Sequence, residues 1–314
     1  MLLGLVLVSL AAISWGTTGA TMAVLARDTS IGPLFVGWAR LAVAAPCLIL
    51  AALAAARPDA RARARSSLAV RDIAAYTLLG LAMAAYQVCY FRAVTLTGVT
   101  VTALLAICSA PLLIALLAWL TLGERPSPGV QFSLGLAVTG TALLVVGPRG
   151  VRDLTGRFGV GALLALGAGL SYAVYAVTAK RALGRTAPLS VAAITFTLAA
   201  LFLAPALASE DVTRADLVRG APLLLYLGIA PTALAYALFT AGLRRVPATA
   251  AGIASLLEPF TATAIGVATF GESLGALGWT GAVLLIAALL LLARARAAAP
   301  EPLTPGRSGG SPSG

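Results

Sequence analysis

The 314-residue chain is 60% apolar and only 11% charged, against about 25% charged in a soluble domain, so lipid must cover much of its surface. Its formal charge of +11 does not mark a nucleic-acid binder, because the Arg and Lys residues sit in short gaps between apolar runs rather than in a soluble basic domain. The lack of any histidine removes the usual general base and commonest metal ligand, and Cys47, Cys89 and Cys108 all lie within apolar runs, which offers neither a disulfide framework nor a metal site.

In chain order, the opening run MLLGLVLVSLAAISWG lacks a basic leader and a small-residue cleavage site, and the apolar stretch continues to Arg27. It predicts a membrane helix rather than a signal peptide. A span needs about 20 mostly apolar residues. Cutting at charge, Pro and Gly clusters predicts ten spans: 2–24, 33–55, 73–91, 98–120, 128–147, 159–180, 188–208, 221–243, 247–270 and 274–292. The third is short. Only Arg244, Arg245, Val246 and Pro247 part the eighth from the ninth, and Pro247 suits a helix start, where its missing N–H costs nothing. With the N-terminus inside, the cytoplasmic side collects 14 Lys and Arg residues and the outer side 7. The expectation is a multi-pass inner (plasma) membrane protein with both termini cytoplasmic. The last stretch, 293–314, is rich in Pro, Gly and Ser towards its end and is expected to be a disordered cytoplasmic tail.

Residues 80–144 align without a gap to residues 228–292, at a constant offset of 148. The pairs include Gly80/Gly228, Phe91/Phe239, Pro111/Pro259, Gly123/Gly271 and Glu124/Glu272. Ala and Leu matches mean little in this composition, but Pro, Gly and Glu matches in one register indicate duplication. Each half holds five spans, an odd number, so the second copy enters the bilayer upside down. The predicted fold is an all-α membrane protein of ten transmembrane helices in two inverted five-helix repeats, 1–147 and 159–292. Such repeats allow alternating access, because exchanging the conformations of the halves turns an outward-facing shape into an inward-facing one.

Arg40 and Glu258 are the two clear charges inside predicted spans. Arg40 lies roughly 12 Å from the outer end of its helix at 1.5 Å per residue. Glu258 falls near the middle of a hydrocarbon core of about 30 Å. A charge at that depth must face a cavity or a partner. Glu258 therefore reads as a proton-coupling or amine-binding group, and Arg40 as a carboxylate clamp; the structural alternatives are a protonated Glu258 bonded to a neighbouring helix and an Arg40 that snorkels outward. Glu124 and Glu272 sit at span ends, each just before a new helix, where capping and loop pinning are the better explanation. Trp15, Thr18, Tyr86, Gln87, Tyr90, Tyr172, Tyr175 and Tyr236 complete the candidate substrate-binding set, since polar side chains in hydrocarbon should face protein or a wet cavity. Pro111 and Pro259, at matching mid-span places, are expected to be hinges.

Ser14-Trp15-Gly16, Trp38-Ala39-Arg40-Leu41-Ala42, Pro111 with Gly123-Glu124-Arg125, and Leu257-Glu258-Pro259 with Gly271-Glu272 occur in the order seen in the EamA family of the drug/metabolite transporter superfamily, which the chain resembles over residues 1 to 292. The resemblance implies a ten-helix basket with a central cavity, and transport, often export, of amino acids or related metabolites. Two features depart from the family pattern. The second half opens with Leu170-Ser171-Tyr172-Ala173 instead of a Trp motif, and the position paired with Glu258 is Ala110.

The expected function is thus secondary transport of a small-molecule substrate across the bilayer, as an exporter with proton coupling, by a monomer or homodimer that needs no cofactor and no metal. The competing classes are a membrane-embedded lipid-modifying enzyme and a non-transporting receptor or scaffold. The first would need a catalytic cluster and the second large extramembrane loops, and the sequence offers neither. No G-x-x-x-x-G-K-[ST] loop occurs, so ATP is not the direct energy source.

Overall fold

The computed structural model describes residues 1–56, 70–146, 158–270 and 275–297, and among these all regular structure is helical. Nine stretches of described residues are long and apolar enough to cross a membrane, and the 19-residue helix Pro128–Val146 stands between the fourth and fifth of them. In hydrocarbon only such helices satisfy their own backbone polar groups. Large side chains such as Leu3, Leu163, Trp119 and Trp279 point outward, where lipid takes the place of a core. The three cysteines are free.

The span boundaries depart from hydropathy in instructive ways. The first span runs Leu2–Asp28 and is interrupted at Thr17, whose N–H and hydroxyl both bond to the Ser14 carbonyl at 3.2 and 2.7 Å. The predicted short third span is in fact Asp72–Thr97, because Arg92 sits inside the helix rather than ending it. The eighth extends back to Arg214, where Thr213 caps the Asp216 N–H. The seventh ends its α-helix at Leu203 and closes with a 3-10 turn, Ala204–Ser209. The tenth helix, Gly275–Ala297, absorbs residues 293–297, which the sequence assigned to the tail. The remaining tail, 298–314, lies outside the described residues, as do Gly271 and Glu272.

The third and fourth spans form one helical run, Val70–Leu122, yet they are antiparallel. Gly167 and Gly169 of the sixth span (Phe158–Ala182) face Cys89 and Ser109 respectively, whereas Gly161, near that span's start, faces Thr97. Cys89 and Ser109 thus lie at one level and Thr97 at another, so the chain reverses just after Thr97. A hydroxyl contact of 3.0 Å between Thr97 and Thr102 bridges the reversal.

Small residues bring the spans together, as expected where packing rather than water drives association. The sixth span packs on the third and fourth, and the first packs on the eighth and ninth. The second (Pro33–Ala55) and seventh (Pro188–Leu203) meet, with Trp38 Nε1 donating to the Ala200 carbonyl at 3.2 Å. The fifth and tenth form their own pair, in which Gly140 lies against Gly281 and Leu285 and Ser133 donates to the Ala288 carbonyl at 2.7 Å.

Glu124 corrects one expectation. It does cap a helix, but not the one that follows it in sequence. Gly123, with φ of 69°, ends the fourth span in the left-handed conformation that glycine tolerates. The Glu124 carboxylate then accepts from the N–H groups of Ala248 and Thr249 at 2.8 and 3.2 Å, and from the Thr249 hydroxyl at 3.2 Å. It therefore pins the fourth span to the start of the ninth. At the same end, Lys180 Nζ donates to the Leu243 and Val246 carbonyls at 2.7 and 2.6 Å, and Arg181 donates to the Thr121 carbonyl. Removing the Glu124 carboxylate strands the Ala248 and Thr249 N–H groups and the Thr249 hydroxyl. Glu124→Ala is expected to cost about 2 kcal/mol, the scale of a charged hydrogen bond left unmade, read as a lower melting temperature in detergent, with Glu124→Gln intermediate.

Candidate functional site

Three spans are irregular at mid-membrane, and their irregularities converge. The first breaks at Thr17. The eighth widens into a π-helical stretch, Ile229–Leu234, around Pro231. The ninth is two helices, Ala248–Ala254 and Leu257–Phe270. That last break has a local cause. Pro259 has no N–H to give the Ser255 carbonyl, which accepts instead from Glu258 N at 3.0 Å, tightening the turn. Glu258 consequently occupies the first turn of the second half-helix. Irregular backbone at this depth is tolerated where it is buried in protein or lines a cavity.

A cavity of about 420 Å³, its open mouth included, lies beside this break. Its walls are Tyr86, Tyr172, Ser255 and Glu258 on the polar side, and Ile107, Ile114 and Leu256 with small residues on the apolar side. Behind Tyr86 and Tyr172 stands an aromatic layer. Trp15 packs on Tyr236 at 4.8 Å and Phe239 at 5.4 Å, and Tyr90 stacks on Tyr86 at 5.7 Å. Tyr175 lies 5.9 Å from both Tyr172 and Tyr236. Among the described residues Trp15 Nε1 and the Tyr175 hydroxyl are buried with no hydrogen-bond partner, and the Tyr172 hydroxyl, although turned towards Ser255, makes no bond of sound geometry. Each such atom costs about 1–3 kcal/mol unless something else satisfies it.

The structure brings most of the candidate residues together. Tyr86, Tyr172, Glu258 and Pro111 line the cavity, while Trp15, Tyr90, Tyr175 and Tyr236 back it. Arg40 is half-buried and lies near enough to feel the charge of Glu258 and to act on Tyr86, Tyr90 and Tyr236, yet no ion pair joins it to Glu258 among the described residues. Arg40 therefore does not simply snorkel. Its Nε donates to Thr232 Oγ1 at 3.0 Å.

Two candidates stand apart. Gln87 is buried and its Nε2 donates to the Gly37 carbonyl at 3.2 Å, which ties the third span to the second. Thr18 opens the helix after the Thr17 break, and its hydroxyl lacks a protein partner among the described residues. Pro111, unlike Pro259, lies within an unbroken helix. Sequence reasoning missed Ser255, Ile107 and Ile114 on the cavity wall, Phe239 in the aromatic layer behind it, and Thr232 beside Arg40. Phe239 was visible only as the partner of Phe91 in the repeat, and the Pro231-Thr232 pair carried a helix-perturbing signal that went unread.

An all-helical bundle of apolar spans, with broken helices meeting at a carboxylate and an aromatic-walled cavity, defines a multi-pass membrane protein of the transporter class. The profile of the EamA-like transporter family matches residues 2–146 and again 159–294, and the chain belongs to that family. It is 35% identical over 291 residues to a Bacillus subtilis protein named "Uncharacterized transporter YwfM", covering 92% of this chain and 93% of that one. It is 30% identical over 217 residues to an "Uncharacterized transporter" of Archaeoglobus fulgidus, covering 68% of this chain and 75% of that one. A protein of known crystal structure superposes with a TM-score of 0.76 over 92% of this chain and 98% of its own, and at 19% identity that likeness speaks to the fold alone.

Proposed function

We propose that the chain is a secondary transporter that exports small zwitterionic metabolites, amino acids or close relatives, by alternating access with a proton as the counter-ion. The carrying observation is the cavity itself: one carboxylate on its wall, an arginine within electrostatic reach of that carboxylate and of Tyr86, and buried aromatic N–H and O–H groups around it that no protein atom among the described residues satisfies. In this reading Arg40 takes the solute's carboxylate, Glu258 takes the proton, and Tyr86 and Tyr172 form the walls, stiffened by Trp15, Tyr90, Tyr175 and Tyr236. Proton exchange at Glu258 also explains a carboxylate at membrane depth with no ion-pair partner among the described residues.

The architecture we propose is two five-helix repeats, 1–147 and 159–292, of opposite orientation in the plasma membrane, with both termini in the cytoplasm. Reciprocal contacts support it. Gly80 packs on Leu198, and Gly228, its partner in the repeat, packs on Val43. Val43 and Leu198 occupy the same register when Pro33 is set on Pro188. Likewise Gly161 packs on Thr97 and Gly4 on Arg245, and the repeat sets Thr97 on Arg245. Contacts that exchange partners between halves are what a two-fold axis produces. Pro259, at the observed break, and Pro111 are the hinges on which the halves would rock.

Counterflow tests the proposal. Purified protein in liposomes preloaded with unlabelled amino acids should take up labelled amino acid well above empty vesicles. No exchange across the twenty common amino acids would refute it.

A further inference from the structure

An arginine in a membrane cavity is a flexible cation on a long stem, and a binding group must be held still to be selective. The structure shows how Arg40 is held. Thr232 Oγ1 accepts from Arg40 Nε at 3.0 Å and donates to the Leu227 carbonyl at 2.7 Å. That carbonyl lacks the usual helical donor, because the residue four positions on is Pro231, which has no N–H to offer it. The backbone widens into the π-helical stretch Ile229–Leu234, and the hydroxyl of the fifth residue on drops into the vacancy. Thr232 is fully buried, and its single O–H donor is committed to the Leu227 carbonyl while its oxygen accepts from Arg40. Gly228 permits the approach: a Cβ there would run into Val43 of the second span, one turn from Arg40. In the repeat register the first half has Met83 and Ala84 in place of Pro231 and Thr232, so the device is built once, opposite the single Arg40. Among the described residues the terminal nitrogens of Arg40 make no hydrogen bond to protein.

We propose that Thr232 is a positioning residue for carboxylate recognition: seated by the carbonyl that Pro231 frees, it fixes the Arg40 guanidinium through Nε and leaves Nη1 and Nη2 to receive a solute carboxylate two-pronged. The inference rests on the reading of Arg40 as the carboxylate-binding group of a transporter. A guanidinium free to rotate would still attract an anion but would lose the planar fork that tells a carboxylate from an uncharged amide.

The test compares, in liposomes, the half-saturation concentration of the best-exchanged common amino acid with that of its carboxamide. Native protein should favour the free acid. Thr232→Val should raise the acid's half-saturation concentration about tenfold and leave the amide's unchanged, whereas Thr232→Ser should behave as native. Pro231→Ala offers a second route that keeps the threonine: it supplies an N–H to the Leu227 carbonyl and should weaken acid selectivity in the same direction. If Arg40→Ala destroys the preference while Thr232→Val and Pro231→Ala both retain it, the positioning role is refuted and the Arg40 reading stands. If Arg40→Ala also retains it, the Arg40 reading fails and the Thr232 proposal fails with it. Absence of exchange by native protein for every amino acid would overturn both.

Discussion

Glu258→Gln is expected to abolish pH-driven accumulation while leaving exchange at a substantial fraction of the native rate. Glutamine has the shape of the protonated acid and cannot release a proton. One proton exchanged per solute down a gradient of one pH unit supports about tenfold accumulation, because about 1.4 kcal/mol is a factor of ten. The Gln variant should therefore equilibrate its solute and go no further, while counterflow, which needs no net proton movement, continues. The position of Glu258 makes the comparison clean. It sits in the first turn of a half-helix, beside a break that Pro259 causes, so the substitution leaves the backbone geometry in place. A Gln variant that still concentrates its solute in response to a pH gradient would remove Glu258 from the coupling mechanism.

Gly16→Val is expected to lower stability by about 3 kcal/mol and to disable transport together with it. The first span crosses the ninth at Gly16 so closely that an added Cβ would meet the Thr261 side chain and lie 2.8 Å from the Glu258 carbonyl oxygen. The obstacle is partly backbone, which cannot swing aside as a flexible side chain can, and overpacking of this kind costs about 1–3 kcal/mol. The β-branched side chain places the variant at the upper end of that range. Thermal melting in detergent reads the stability term, and counterflow reads the displacement of Glu258. Gly19→Ala is the control, since a Cβ at Gly19 meets nothing within 4 Å. Equal melting temperatures for the Gly16→Val variant and native protein would show that the crossing yields more readily than its geometry implies.

Membrane class, helical content and family membership were legible in composition, in the spacing of apolar runs and in a few ordered motifs. Hydropathy placed most spans to within a turn or so. It failed where a charge sits inside a helix, as at Arg92, or where a span carries polar residues at its end, as at Arg214 and Asp216. The candidate site was also largely legible, because polar residues within apolar spans are costly unless a cavity or partner receives them. Eight of the ten candidate side chains gather around or behind one cavity or act on it electrostatically. Gln87 serves helix packing instead, for an amide is equally content with a carbonyl on a neighbouring span.

What the chain spells out in one dimension is its partition between lipid and water, since that depends on the summed transfer free energy of local residues. It also spells out the doubled register, since that is a comparison of letters. The choice of partner for each polar group is different, because it depends on which distant backbone atoms come within about 3 Å. Glu124 could have capped the helix beside it, yet it caps one 124 residues away. Pro231 and Pro259 announced lost N–H groups, but only the folded bundle decided that the first carbonyl would be filled by Thr232 and turned to hold Arg40, and that the second would set Glu258 at the edge of a cavity.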